Sequence, residues 1–73
     1  MGMHRIESPV TGKVWKLERQ VGDQVAAGDT LLILESMKME IPLDATATGV
    51  LKELLVGEGD EVQENQVLVV VAS

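Results

Sequence analysis

Few side chains in this sequence could do covalent chemistry. His4 is the single histidine, and there is no cysteine. That argues against a multi-histidine or thiolate metal site, a cysteine nucleophile and a Ser–His–Asp set. No GxSxG, Walker A or EF-hand pattern is present. Gly57-x-Gly59 fails as a dinucleotide fingerprint, because Val62 stands at the third glycine position. Glu58 and Asp60 are paired carboxylates, but they fall in a turn with no cleft evident around it. What remains is the primary amine of lysine, whose long flexible stem suits amide-forming modification. Lys38 has an unusual setting, Glu35-Ser36-Met37-Lys38-Met39-Glu40. Turns favour Gly, Asn, Asp and Pro, so Met-Lys-Met between glutamates is an odd choice for one. Two exposed methionines would offer adaptable apolar contacts to a recognising partner. The plainer alternative is a solvated lysine between methionines that cap the core.

The composition agrees with this scarcity. The chain has 73 residues, 45% of them hydrophobic, and Trp15 is its only aromatic. A domain of this length has a thin core. Six basic residues against twelve acidic give a net charge of −6, which argues against a nucleic-acid partner. The longest apolar run, residues 67–72, is far short of a membrane span. No signal-peptide core is present, and Ile6 stands where a myristoylation motif needs Ser or Thr. The absence of cysteine fits a reducing, cytoplasmic location. These features point to a carrier, a binding module or a structural piece rather than to an enzyme.

An internal repeat organises the chain. At an offset of 37 residues, Thr11-Gly12 falls on Thr48-Gly49 and Leu17 on Leu54. Gly22-Asp23-x-Val25 falls on Gly59-Asp60-x-Val62, Leu31 on Leu68 and Ser36 on Ser73. Gly28 meets Asn65, two residues that both tolerate a left-handed turn position. The half-repeats run over about 8–36 and 45–73 and are joined by the 36–40 hairpin, within a single domain spanning 1–73. Short Val/Ile/Leu segments bounded by Gly, Asp, Asn and Pro predict strands near 4–7, 13–19, 31–35, 39–43, 50–56 and 67–71. Short extended pieces are expected at 24–26 and 61–63. Leu51, Leu54 and Leu55 also fit a helix, but the repeat partner of that segment is too tightly flanked by glycines for one. As strands, these segments place apolar positions three apart (Val14 and Leu17; Leu51 and Leu54), which predicts a bulge near Trp15-Lys16 and near Lys52-Glu53. Trp15 is expected to be a partly buried packing residue.

One half-repeat cannot bury its own apolar face. The expected fold class is all-β: a flattened β-barrel, or barrel-sandwich, of two pseudo-two-fold related four-stranded sheets. The two-fold relation places the 36–40 connection at one end and both termini near the other. Lys38 then sits at the tip of a tight hairpin.

Glu35-Ser36-Met37-Lys38-Met39-Glu40, centred between two Gly-Asp-x-Val half-repeats, closely resembles the biotinyl domain family, the biotin carboxyl carriers. The resemblance runs from about Ile6 to Ala72, and the chain is closest in look to short stand-alone biotin/lipoyl attachment proteins. It implies covalent biotin on Lys38, with Met37 and Met39 flanking it for recognition. The implied partners are biotin protein ligase, which uses biotinyl-AMP, then biotin carboxylase and a carboxyltransferase, between which carboxybiotin is shuttled. The resemblance implies no catalysis by the domain itself. Lipoyl relatives, similar in fold, usually carry Asp-Lys-Ala here, so lipoate is the second choice. Ser36 stands where biotinyl domains most often have Ala. The halves align without insertion, leaving no room for the protruding loop typical of the multisubunit acetyl-CoA carboxylase carrier. Alternative readings are a lipoyl-carrying domain and an unmodified β interaction module.

Overall fold

The computed structural model describes residues 2–73, and among them every regular element is a strand. The strands are β1 (Met3–Glu7), β2 (Gly12–Leu17), β3 (Gln24–Val25), β4 (Thr30–Ser36), β5 (Met39–Asp44), β6 (Gly49–Leu54), β7 (Glu61–Val62) and β8 (Val67–Ala72). The fold is all-β. Two four-stranded antiparallel sheets, ordered β1-β8-β6-β3 and β5-β4-β2-β7, enclose one apolar core. Leu31, Leu32, Leu34, Leu51, Leu68, Val62, Val69 and Val71 are essentially inaccessible to solvent there.

Adding 37 to the residue numbers of each strand of the first half gives, to within one residue, its counterpart in the second: β1 to β5, β2 to β6, β3 to β7, β4 to β8. The sheet orders interconvert under the same operation. β2 and β6 even share one burial pattern, with Val14 and Leu51 inward and a half-buried leucine three residues later. The equivalence begins earlier than position 8, since Ile6 in β1 and Leu43 in β5 are both buried. The halves are also not one sheet each. Each sheet takes two strands from each half, so neither half forms its sheet without the other.

The bulges fall where the leucine and valine spacing places them. Register shifts between Val14 and Lys16 against β4, and between Leu51 and Glu53 against β8. The backbone shows why. Val14 N–H donates to Asp60 O (2.9 Å) and Val14 O accepts from Gly59 N–H (2.8 Å). Leu51 does the same with Asp23 and Gly22, at 2.9 Å each. Each bulge therefore gives a strand to the Gly-Asp turn of the other half. Gly22 and Gly59 have φ of 97° and 90°, which a side chain would oppose. Asp23 Oδ2 accepts from Gln20 N–H and Asp60 Oδ2 from Gly57 N–H, closing each turn from within. Gly28 and Asn65 are both left-handed, at φ 95° and 71°, as their alignment predicts.

The long strands β2 and β6 stop at Leu17 and Leu54, short of residues 19 and 56. There the ladder loosens: Glu18 and Arg19 N–H share the Leu31 carbonyl, and Leu55 N–H reaches Leu68 O. The outer strands β3 and β7 are two residues long, and the outer strand β5 carries Pro42. Short edges and an edge proline both discourage pairing with another chain. Trp15 is half exposed rather than a packing residue, because the bulge turns it away from the core.

Gly12 and Gly49 mark the tightest approaches. A Cβ on Gly12 would lie 2.3 Å from Glu35 O, and one on Gly49 would lie 2.1 Å from Ala72 O. Gly12→Ala and Gly49→Ala should each destabilise the fold by about 1–3 kcal/mol. Urea unfolding of the two variants checks this, and the losses should be similar, because the contacts are equivalent.

Candidate functional site

β4 and β5 pair closely up to Ser36↔Met39, so the hairpin loop is the two residues Met37 and Lys38. Both have positive φ, 52° and 65°. Positive φ at both central residues is the mark of the mirror-image hairpin turn whose twist suits antiparallel strands. That turn normally recruits Asn, Asp or Gly. Here a methionine and a lysine occupy it, each in a conformation costing an L side chain roughly 1–2 kcal/mol. Sequence reasoning marked the composition of this turn as odd and missed the strained backbone behind it.

The tip stands clear of the core. Met37 is 92% exposed and Met39 63% exposed, so neither caps the barrel. Lys38 is exposed as well. Among the described residues the ion pair is Lys16 with Glu18, and Lys38 is left without one. Glu35 and Glu40 pair across the strands just below and face solvent. Beside the tip runs an open groove of about 420 Å³, whose lining includes Gly12, Lys13, Glu35, Glu61 and Gln63. No sequence pattern announced this groove, because it joins residues from β2, β4 and the β7 region.

The tip lies at one end of a molecule measuring 36 × 19 × 18 Å. β7 pairs with Gly12, and the turn that follows is tied to Thr11 by Glu64 N–H on Thr11 Oγ1 (3.2 Å). β8 therefore starts near the tip and runs away from it by roughly 20 Å over its length. At the far end Ser73 N–H donates to Gly2 O (2.9 Å), the counterpart of the Ser36–Met39 pairing. His4 lies there too, its Nε2 3.1 Å from Ser73 Oγ and remote from Lys38. The geometry thus brings Met37, Lys38 and Met39 together on one protruding end and leaves the single histidine at the other.

A presented amine on a stiff frame is suited to carrying a group in amide linkage. The biotin/lipoyl family, described as biotin-requiring enzyme, matches residues 4–71. The chain belongs to this family. It is 48% identical over 59 residues to the biotin/lipoyl attachment protein of Bacillus subtilis, covering 81% of each chain. It is 34% identical over 67 residues to the biotinylated protein TB7.3 homolog of Mycobacterium leprae, covering 92% of this chain and 94% of that one. In solved structures it is similar to a segment of the urea carboxylase of Kluyveromyces lactis, at a TM-score of 0.92 and 35% identity. That match covers 99% of this chain and 6% of the enzyme. No helix among the described residues is long and apolar enough to cross a membrane.

The strain at the tip has a measurable consequence. Met37→Gly should raise stability by about 0.5–1 kcal/mol, because relief of the left-handed methionine exceeds the entropy cost of glycine. A shift of the urea midpoint upward at unchanged slope is the expected readout.

Proposed function

We propose that this chain is a biotin carboxyl carrier and that Lys38 is its attachment site. The observation that carries the reading is the exposed amine at a two-residue, left-handed hairpin tip. The Lys38 amine attacks the activated carboxyl of biotinyl-AMP on a biotin protein ligase. A carbon–nitrogen bond forms, AMP leaves and the amine gives up a proton. The residues fit such a group: the amine is exposed and, among the described residues, makes no ion pair, and an open groove lies beside it. Biotin, once bound, supplies a ureido nitrogen that accepts and releases a carboxyl group.

The rest is positioning by the chain. Met37 and Met39 give the ligase and later partners an apolar flank on each side of the amine. The two sheets hold the tip rigid while the lysine stem and its cargo sweep between a biotin carboxylase and a carboxyltransferase. Tethering makes each delivery effectively intramolecular. The similarity to a segment of urea carboxylase supports partners of this class. The Met-Lys-Met tip favours biotin over lipoate. Lipoate on the same lysine is the second reading, favoured by the likeness to a biotin/lipoyl attachment protein. The proposal includes a single domain over 1–73 that works in the cytoplasm, where these enzymes meet it.

Intact mass after co-expression with a biotin protein ligase tests the reading. A biotin-sized gain should appear in the native chain and vanish in Lys38→Arg. A lipoyl-sized gain would select the second reading, and no gain under ligase and biotin would remove the biotin reading. Moving the amine one place, in the double variant Lys38→Met with Met39→Lys, should abolish modification. Neighbouring positions at a strand end face opposite ways.

A further inference from the structure

The two ends of the barrel share a frame and differ in surface. Thr11 Oγ1 accepts from Glu64 N–H (3.2 Å) and its mate Thr48 Oγ1 from Ala27 N–H (3.0 Å), so this contact repeats. The serines at the strand ends do not match: Ser36 Oγ donates to Thr11 O (2.9 Å), while Ser73 Oγ lies 3.1 Å from His4 Nε2. A larger difference lies on the outer faces of the sheets. At the tip end the ladder sets Glu40, Glu35, Lys13 and Glu61 side by side across β5, β4, β2 and β7. All four are exposed. Their repeat mates at the terminal end, Met3, Ala72, Val50 and Gln24, make the same row across β1, β8, β6 and β3. Both rows face outward, because Val14 and Leu34 beside the first, and Leu51 and Val71 beside the second, point into the core. Met3 is 53% exposed and Val50 38%. The frame accepts charge in such a row, so the apolar one is not a requirement of folding.

The next row on that face is Arg5, Val70 and Glu53. Val69 and Val71 point into the core, so Val70 between them points out. Arg5 and Glu53 stand exposed on its two sides, roughly 10 Å apart at two strand spacings. Lys52, the bulge residue, is outside the row. Among the described residues neither Arg5 nor Glu53 makes an ion pair. The patch is therefore an apolar row at the end of the sheet, backed by a row with a cation on the β1 flank and an anion on the β6 flank.

We propose that this patch docks a second copy of the chain, sheet face to sheet face, about a two-fold axis running parallel to the strands over β8. Such an axis exchanges the β1 and β6 flanks. It sets Arg5 opposite the second copy's Glu53, and Glu53 opposite its Arg5. Met3 meets the second copy's Val50, and Ala72 meets its Ala72. An axis across the strands would instead oppose Arg5 to Arg5 and Glu53 to Glu53, so the charges select the parallel pair. Apolar contact alone does not choose a partner; the two complementary charge pairs do. Both Lys38 amines then lie at the same uncovered end. Two short rows on three strands bury far less than a permanent dimer needs, so the pair is weak and forms by mass action. None of this depends on what Lys38 carries.

Sedimentation velocity over a concentration series, with amide NMR shifts followed on dilution, tests the pairing on the native chain. A dimer should build up with concentration. The shifts should gather at Met3, Arg5, Val50, Glu53 and Ala72 and leave Met37, Lys38 and Met39 unmoved. Arg5→Glu and Glu53→Arg each turn both charge pairs into like-charge pairs, and each should raise the dimer Kd by about tenfold or more. The double variant, Arg5→Glu with Glu53→Arg, recreates the pairs in reverse and should restore the native Kd. Ala72→Glu puts like charges on the axis and should abolish the dimer. Its mate on the other sheet is already Glu35, and a near-native urea midpoint confirms that the frame is intact. A chain that stays monomeric up to about 1 mM overturns the proposal. So does a dimer indifferent to Arg5→Glu, or one that the double variant fails to restore.

Discussion

The constraint on which the structure depends is the exchange of two backbone hydrogen bonds between each Gly-Asp turn and a strand of the other half. Val14 gives its N–H and its carbonyl to Asp60 and Gly59, and Leu51 gives its own to Asp23 and Gly22. Val14 and Leu51 keep their partners Leu34 and Val71 on the other side, and the next residue, Trp15 or Lys52, is the one left out of the ladder, so the strand bulges there. The bulge resets the inward face and lets Leu17 and Leu54 reach the core three positions on. A second exchange repeats the device. Gly28 and Asp29 pair with Ala45, and Asn65 and Gln66 pair with Ser8, all within 2.8–2.9 Å. The halves are thereby knitted rather than stacked. For a chain of 73 residues with a thin core, that interlocking makes the burial of each half conditional on the other.

The same interlocking defines what the tip can be. β4 and β5 belong to different halves but to one sheet, so their hairpin is both the covalent bridge between halves and the end of a stiff, two-layered frame. A loop of two residues leaves little slack there. The frame holds Met37 and Lys38 left-handed although neither residue favours it. Strain of this kind persists only where the surroundings over-determine the backbone. A glycine would satisfy the turn and present no side chain. Met-Lys presents two long ones at the cost of stability, which is the pattern expected when the loop serves recognition more than folding.

How much of this was legible in the sequence follows from the range of the interactions. The eight strands, both bulges and the left-handed pair Gly28 and Asn65 were readable, because turn chemistry and apolar spacing are local and the repeat checks each reading twice. The exchange of strands between sheets was not, since a repeat alone does not say whether equivalent units sit side by side or thread through each other. The start of the repeat was placed at 8 and 45, although Ile6 and Leu43 already matched in character; one apolar pair flanked by dissimilar residues carries little weight by itself. Lys38 was singled out by its neighbours, and its exposure followed from the symmetry. The left-handed backbone beneath it, the adjoining groove and the Ser36–Thr11 bond depend on contacts between distant segments. Trp15 was misjudged for the same reason, because a large aromatic is normally buried and only the bulge geometry turns this one outward.

A symmetric fold offers two equivalent ends, and the chain uses them unequally. One end is a closed hairpin and the other is where Ser73 meets Gly2. The Gly12 and Gly49 approaches and the Thr11 and Thr48 caps treat both ends alike, so they are requirements of the frame. Whatever differs between the ends is free of that requirement. The differences include the residues at the tip and the direction of one serine hydroxyl. Comparing a pseudo-symmetric protein with itself thus separates what the fold demands from what the site adds, without recourse to any relative. In this chain the separation leaves a lysine, two methionines and a serine at one end, and none of the four is needed to build the core.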